Sequence, residues 1–155
     1  MLFFANQVAF ATGAATYAYR PASDRETSPR VILPILIEDF QTTGFVDTGG
    51  SYILFAPDVA EQIGLRPADA LEVSHVLFRR FTLTGAIHRV NLTLLADPDK
   101  GDRLTVEATA FVPQLAPDQE WPNELPCVLG MLGCLERLRF AVDPTDDTFY
   151  FGEIG

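Results

Sequence analysis

Apolar and polar positions along this chain follow a two-residue alternation or gather into short apolar blocks between turn signals, and only two short stretches carry a helical spacing. The chain therefore reads as strands. Residues 31–37 form a β-branched run, residues 40–43 are expected to turn, and residues 44–46 lead into Asp47. Residues 52–55 continue apolar. Pro57 opens and Gly64 closes a short helix over residues 57–63, proline at its start and glycine past its end. Residues 77–84 and 86–95 alternate on either side of Gly85, which predicts a long hairpin with this glycine near its tip. After a turn over residues 97–102 comes a strand over residues 104–112, then a proline-punctuated loop over residues 113–126. Residues 127–130 are a short buried run entering a helical turn over residues 131–138, where Leu132, Leu135 and Leu138 recur every third position. Strands over residues 139–142 and 149–151, joined by a turn at residues 144–147, complete the chain.

The first ten residues are apolar but lack a basic leader and are too short to span a bilayer, so they are expected to form an outer strand of a soluble, cytoplasmic protein. Residues 21–29 are polar and bracketed by prolines, the mark of an exposed loop. The pattern predicts an all-β fold with one or two short helices, built as a single domain over residues 1–155.

Composition narrows the function. At 155 residues with 48% apolar side chains the chain can bury a real core. Twenty-one acidic against eleven basic side chains give a charge of −10, which opposes a nucleic-acid backbone or an anionic membrane surface. That excess shrinks in acid, so it is compatible with work below neutrality. Cys127 and Cys134 stand seven residues apart with no CxxC and no histidine cluster, and are expected to be buried structural thiols, with no metal site and no cofactor.

Asp47-Thr48-Gly49, behind Phe45-Val46 and ahead of Gly50-Ser51, puts a carboxylate on a tight turn at the end of a buried strand. The aspartate can collect backbone N–H groups there, and glycine supplies conformations closed to other residues. Alone, the tripeptide reads better as an ordinary turn. Its setting changes that. An apolar-apolar-Asp-Thr-Gly turn, then a glycine-bearing hairpin at Gly85, then Val128-Leu129-Gly130 ahead of a short helix, resembles the retroviral-type (retropepsin-like) aspartic proteases over residues 30–151. Gly50 stands where that family usually has Ala or Ser, and one extra residue separates Gly130 from Leu135.

The resemblance implies a closed, β-barrel-like acid protease fold whose single lobe dimerises. It implies that Asp47 is the catalytic carboxylate, in an active-site loop with Thr48, Gly49, Gly50 and Ser51, and that Leu129 and Gly130 support the loop from behind. Thr48 would tie two such loops together across the dimer axis, and Gly49 would offer its amide to the carboxylate. A flap and cleft would involve Gly85, Ile87 and Ile53. Aspartic proteolysis needs two carboxylates sharing a proton, and this chain has one Asp-Thr-Gly. The other strand-end acid, Asp143, is followed by proline and reads as a turn residue. The second Asp47 is therefore expected from a second copy, giving a homodimer that acts on a peptide or protein substrate.

Other residues offer less. His75 and His88 lie in strand-like sequence with no nucleophile motif, Gly-x-Ser-x-Gly is absent around Ser51, and Arg79-Arg80 reads as a solvated hairpin face. Two alternatives to a peptidase stay open: a non-catalytic dimeric module that binds peptide by strand addition, and a monomeric structural β-domain.

Overall fold

The computed structural model describes residues 1–122 and 124–155; position 123, within the expected loop over residues 113–126, lies outside the described residues. Among the described residues there are eleven strands: β1 (Gly13–Thr16), β2 (Ala18–Pro21), β3 (Pro29–Ile37), β4 (Phe40–Ser51), β5 (Ile53–Leu54), β6 (Glu72–Phe78), β7 (Phe81–Leu94), β8 (Leu104–Gln114), β9 (Cys127–Leu132), β10 (Leu138–Asp143) and β11 (Thr148–Glu153). The helix α1 (Pro57–Ile63) begins on its proline and ends at Gly64, whose φ of 78° closes the last turn, as the sequence predicts. The fold is mostly β.

The larger sheet closes on itself. Its strands pair in the order β3-β4-β9-β5-β8-β7, and β7 returns to β3 through Ile35↔Leu94, Leu36↔Thr93 and Ile37↔Leu92. β2 and β6 are appended as edges, while β1, β11 and β10 form a separate antiparallel sheet. Ile35, Ile37, Ile53, Leu92 and Leu129 point into the ring and are fully buried, because every second residue of these strands faces inward. Phe45, Leu54, Ile87, Phe111 and Val128 belong to a second apolar cluster. Cys127 and Cys134 are buried and unpaired, and burial pushes their thiols up to about 11 and about 12.

Four expectations need correction. Residues 40–43 are strand, and the turn before them is Glu38-Asp39; Glu38 takes φ 53° while its carboxylate accepts from the Asn91 amide at 2.9 Å. The first ten residues form no strand, only a Phe3↔Ala9 bridge around Gln7 at φ 67°. The helical turn over residues 131–138 is mostly absent: β9 runs on through Leu132, Gly133 at φ 73° breaks the path, and only Leu135–Arg137 winds into a 3₁₀ turn. The hairpin tip is Arg79-Arg80, not Gly85. Both arginines adopt left-handed φ (50° and 70°), and Phe78↔Phe81 is the last pair. Gly85 sits well below, paired with Ser74 and Pro113, where a Cβ would collide with the Val112 carbonyl and the Phe111 ring.

The Asp47 cleft

The carboxylate is positioned by a parallel crossing. β4 and β9 run side by side through Phe45↔Val128, Val46↔Leu129 and Asp47↔Gly130, and pairing resumes only at Ser51↔Leu132. Between these points β4 advances four residues and β9 two, so Thr48, Gly49 and Gly50 bulge from the ladder carrying Asp47 at their base. Leu129, fully buried, fixes the strand behind. Gly130 is required by close approach: a Cβ there would stand 2.7 Å from the Ser51 carbonyl carbon and from the Tyr52 oxygen, and 2.8 Å from that of Gly50.

Inside the loop the Gly49 amide donates to Asp47 Oδ1 at 3.1 Å. The glycines are not there for left-handed backbone, since neither Gly49 nor Gly50 has such a φ and the strained position is Tyr52, at 64°. What they provide is room. A Cβ on Gly50 would lie 3.4 Å from Asp47 Oδ2, ordinary contact, so the loop has space for the Ala or Ser found there in the resembled family.

Asp47, Gly49, Gly50 and Ser51 line a cavity of about 490 Å³. Phe45, Leu54 and Val128 make its apolar floor, and residues 75–79 of the β6–β7 hairpin make the opposite wall. β6 is the end strand of the sheet, so one of its backbone edges is unpaired, and His75 to Phe78 on this strand line the cavity. Thr48, next to this cavity, is exposed on the loop surface. Ile53 and Ile87 do not reach the cavity; they are buried in the two apolar clusters, as Gly85 is between β6 and β8.

Two residues unremarkable in the sequence complete the cleft, together with Arg79, which was expected on a solvated face but has a side chain only 25% exposed. Glu26 and Arg30 line it from the segment between β2 and the start of β3, and Arg79 does so from the hairpin tip. The Arg79 guanidinium meets Glu26 Oε1 at 2.5 Å, Arg30 lies 3.8 Å from the same oxygen, and Arg30 stacks on Phe45 with its guanidinium carbon 5.4 Å from the ring centre. Only the polarity and i,i+4 spacing of Glu26 and Arg30 hinted at this. His75 is exposed and shares a hydrogen bond with Thr84 at 3.0 Å. His88 is buried on β7, and burial lowers its pKa. Asp143 accepts from the Thr145 amide at 2.9 Å, and this bond lowers its pKa; it belongs to a turn.

No group of three or more His, Cys, Asp or Glu suited to a metal occurs among the described residues, and no helix among them is long and apolar enough to cross a membrane.

No protein-family model and no curated protein matches the chain. Among solved structures it is similar to a retropepsin-like aspartic protease from Rickettsia conorii, with a TM-score of 0.57 and 18% identity over 92% of this chain and 94% of that one. The likeness is one of fold.

Proposed function

We propose that this protein is an aspartic endopeptidase that works as a homodimer, with Asp47 of each copy forming one water-activating pair. The observation that carries the reading is the crossing of the Asp47 loop by Gly130 beneath a hairpin-walled cavity, in a fold like that of a retropepsin-like protease.

The chemistry follows from proximity of two carboxylates. Held about 3 Å apart they cannot both ionise easily, so the pair keeps one proton. The ionised partner takes a proton from water as it attacks the peptide carbonyl, and the protonated partner donates to the developing oxyanion; the first carboxyl then passes the proton it took to the leaving amine as the C–N bond breaks, and the second recovers one from the gem-diol hydroxyl. The two copies titrate as one unit. Glu26, the other acid lining the cavity, is engaged by Arg79 and does not supply the partner. Thr48 stands exposed on the loop, where its hydroxyl bonds to the facing loop across a two-fold axis. Gly49 holds the Asp47 carboxylate, and the free edge of β6 aligns an extended substrate by strand addition.

Peptide-library digestion by wild type and Asp47→Asn, with sedimentation to establish the oligomer, tests the reading. Cleavage by a wild-type dimer that Asp47→Asn loses is the expected result. A dimer that holds peptides without cleaving them would identify a binding module instead.

A further inference from the structure

We propose that Glu26 and Trp121 are positioning residues that hold the β6–β7 hairpin down over the Asp47 cleft within one chain, before any ligand arrives. The kinetic consequence rests on the peptidase reading above, whereas the clamp itself does not.

The hairpin needs such anchors. β8 accompanies β7 only as far as Thr84↔Gln114, so Val76 to Phe78 and Phe81 to Leu83 pair with nothing but each other. A lone two-stranded ribbon is marginal in water. Two contacts fix its end. Arg79 and Glu26 meet with side chains only 25% and 13% exposed, and the Phe78 ring stacks on Trp121 at 5.6 Å with 14° between the planes. Arg79 also lies over the Phe78 ring, 5.2 Å from its centre, which couples the two contacts. A third pair, Arg25 with Glu120 at 3.3 Å, braces the segment carrying Glu26 against the one carrying Trp121.

The clamp is reversible by construction. Among the described residues, Glu26 Oε2 and Arg30 Nε, both buried, find no hydrogen-bond partner, and unsatisfied buried polar atoms carry a desolvation cost. Lifting the hairpin lets water reach Oε2, which offsets part of the ion pair that is lost. Nor does the lowered hairpin plug the cleft. The cavity of about 490 Å³ persists beneath it, inside the usual range for ligand sites of about 300–1,000 Å³. A wall already in place spares the substrate the ordering that closure would otherwise demand. Glu26 and Trp121 thus act on binding and not on the chemical step.

Trp121 is the chain's one tryptophan, so its emission reports the stack directly. In the intact, ligand-free protein, Glu26→Gln and Arg79→Gln are expected to raise acrylamide quenching of Trp121 about twofold, and Arg79→Lys, which keeps a charge, to restore most of the protection. Steady-state kinetics on a cleaved peptide are expected to give a KM raised about fivefold in Glu26→Gln with kcat nearly constant. Wild-type quenching in both Gln variants overturns the clamp, and so does a fall in kcat at constant KM. If quenching changes as expected but wild type cleaves no peptide, the clamp stands and the peptidase reading falls. Arg79 lies at the hairpin tip, so its variants keep the test open should Glu26→Gln fold poorly.

Discussion

The Gly130 amide donates to the Tyr52 carbonyl at 2.9 Å, and the Tyr52 amide donates in turn to Leu132 at 2.7 Å, so β9 grips the far end of the Asp47 loop as well as running beside its near end. Two glycines a few ångströms apart therefore answer to different constraints. Gly130→Ala would drive a methyl into backbone that has no room to retreat, and is expected to cost at least about 2 kcal/mol in chemical denaturation. Gly50→Ala meets only ordinary contacts and is expected within about 0.5 kcal/mol of wild type, with any peptidase activity retained.

Thr48 is exposed on the loop surface beside the cavity, where its hydroxyl is free to meet the second copy of the proposed dimer. Thr48→Val keeps the shape and removes the hydroxyl. The expected outcome is a dimer dissociation constant raised about tenfold in sedimentation equilibrium, from the loss of two symmetric hydrogen bonds. Far-UV circular dichroism should not change. An unaltered dimer would remove Thr48 from the interface.

His88 gives the folded chain a pH response of known sign. Burial lowers its pKa below the ordinary 6.5, and the charge of Asp69 opposes this only in part. The unfolded chain then takes up the proton first, so proton binding favours unfolding as pH falls from 6.5 toward the folded value. The contribution is complete above that window and lost through it. The stability difference between wild type and His88→Leu should shift against wild type between about pH 7.5 and pH 5, with the remaining titrations cancelling in the comparison.

The two thiols should be silent in the native state. With pKa values of about 11 and about 12 and full burial, Cys127 and Cys134 hold almost no thiolate at neutral pH. A disulfide reagent at pH 8 is expected to label neither within minutes, and both at once in denaturant. Rapid native labelling of Cys134 would mean that the Leu135–Arg137 turn opens far more easily than its packing suggests.

Alternation and punctuation carried most of the strand positions, and the cap residues Pro57 and Gly64 carried the helix, because these signals are local. The Asp47 loop and its Val128-Leu129-Gly130 partner were legible only together, through the family that their order resembles, and the structure pairs them as Asp47↔Gly130. Turn positions were harder. Glu38, Arg79 and Arg80 take left-handed backbone that their side chains do not advertise, so the turn was expected at residues 40–43 and the hairpin tip at Gly85. A glycine there answers instead to the Phe111 ring pressed against it. Least legible were Glu26, Arg30 and Trp121. Glu26 meets Arg79 across more than fifty positions, and Trp121 meets Phe78 across more than forty; pairing at such range leaves no periodicity to read.

The length of β7 has a mechanical meaning. At one end it is bonded between β3 and β8, where Leu92 and Leu94 are sealed in the core; at the other it carries the Arg79-Arg80 tip with β6 as its sole neighbour. It is a cantilever rooted in the buried core. Beyond Thr84 the overhang has no β8 partner, and the crossing that holds Asp47 lies on other strands, β4 and β9. The overhang meets the ring beside Gly85, where a side chain would collide with the Val112 carbonyl and the Phe111 ring.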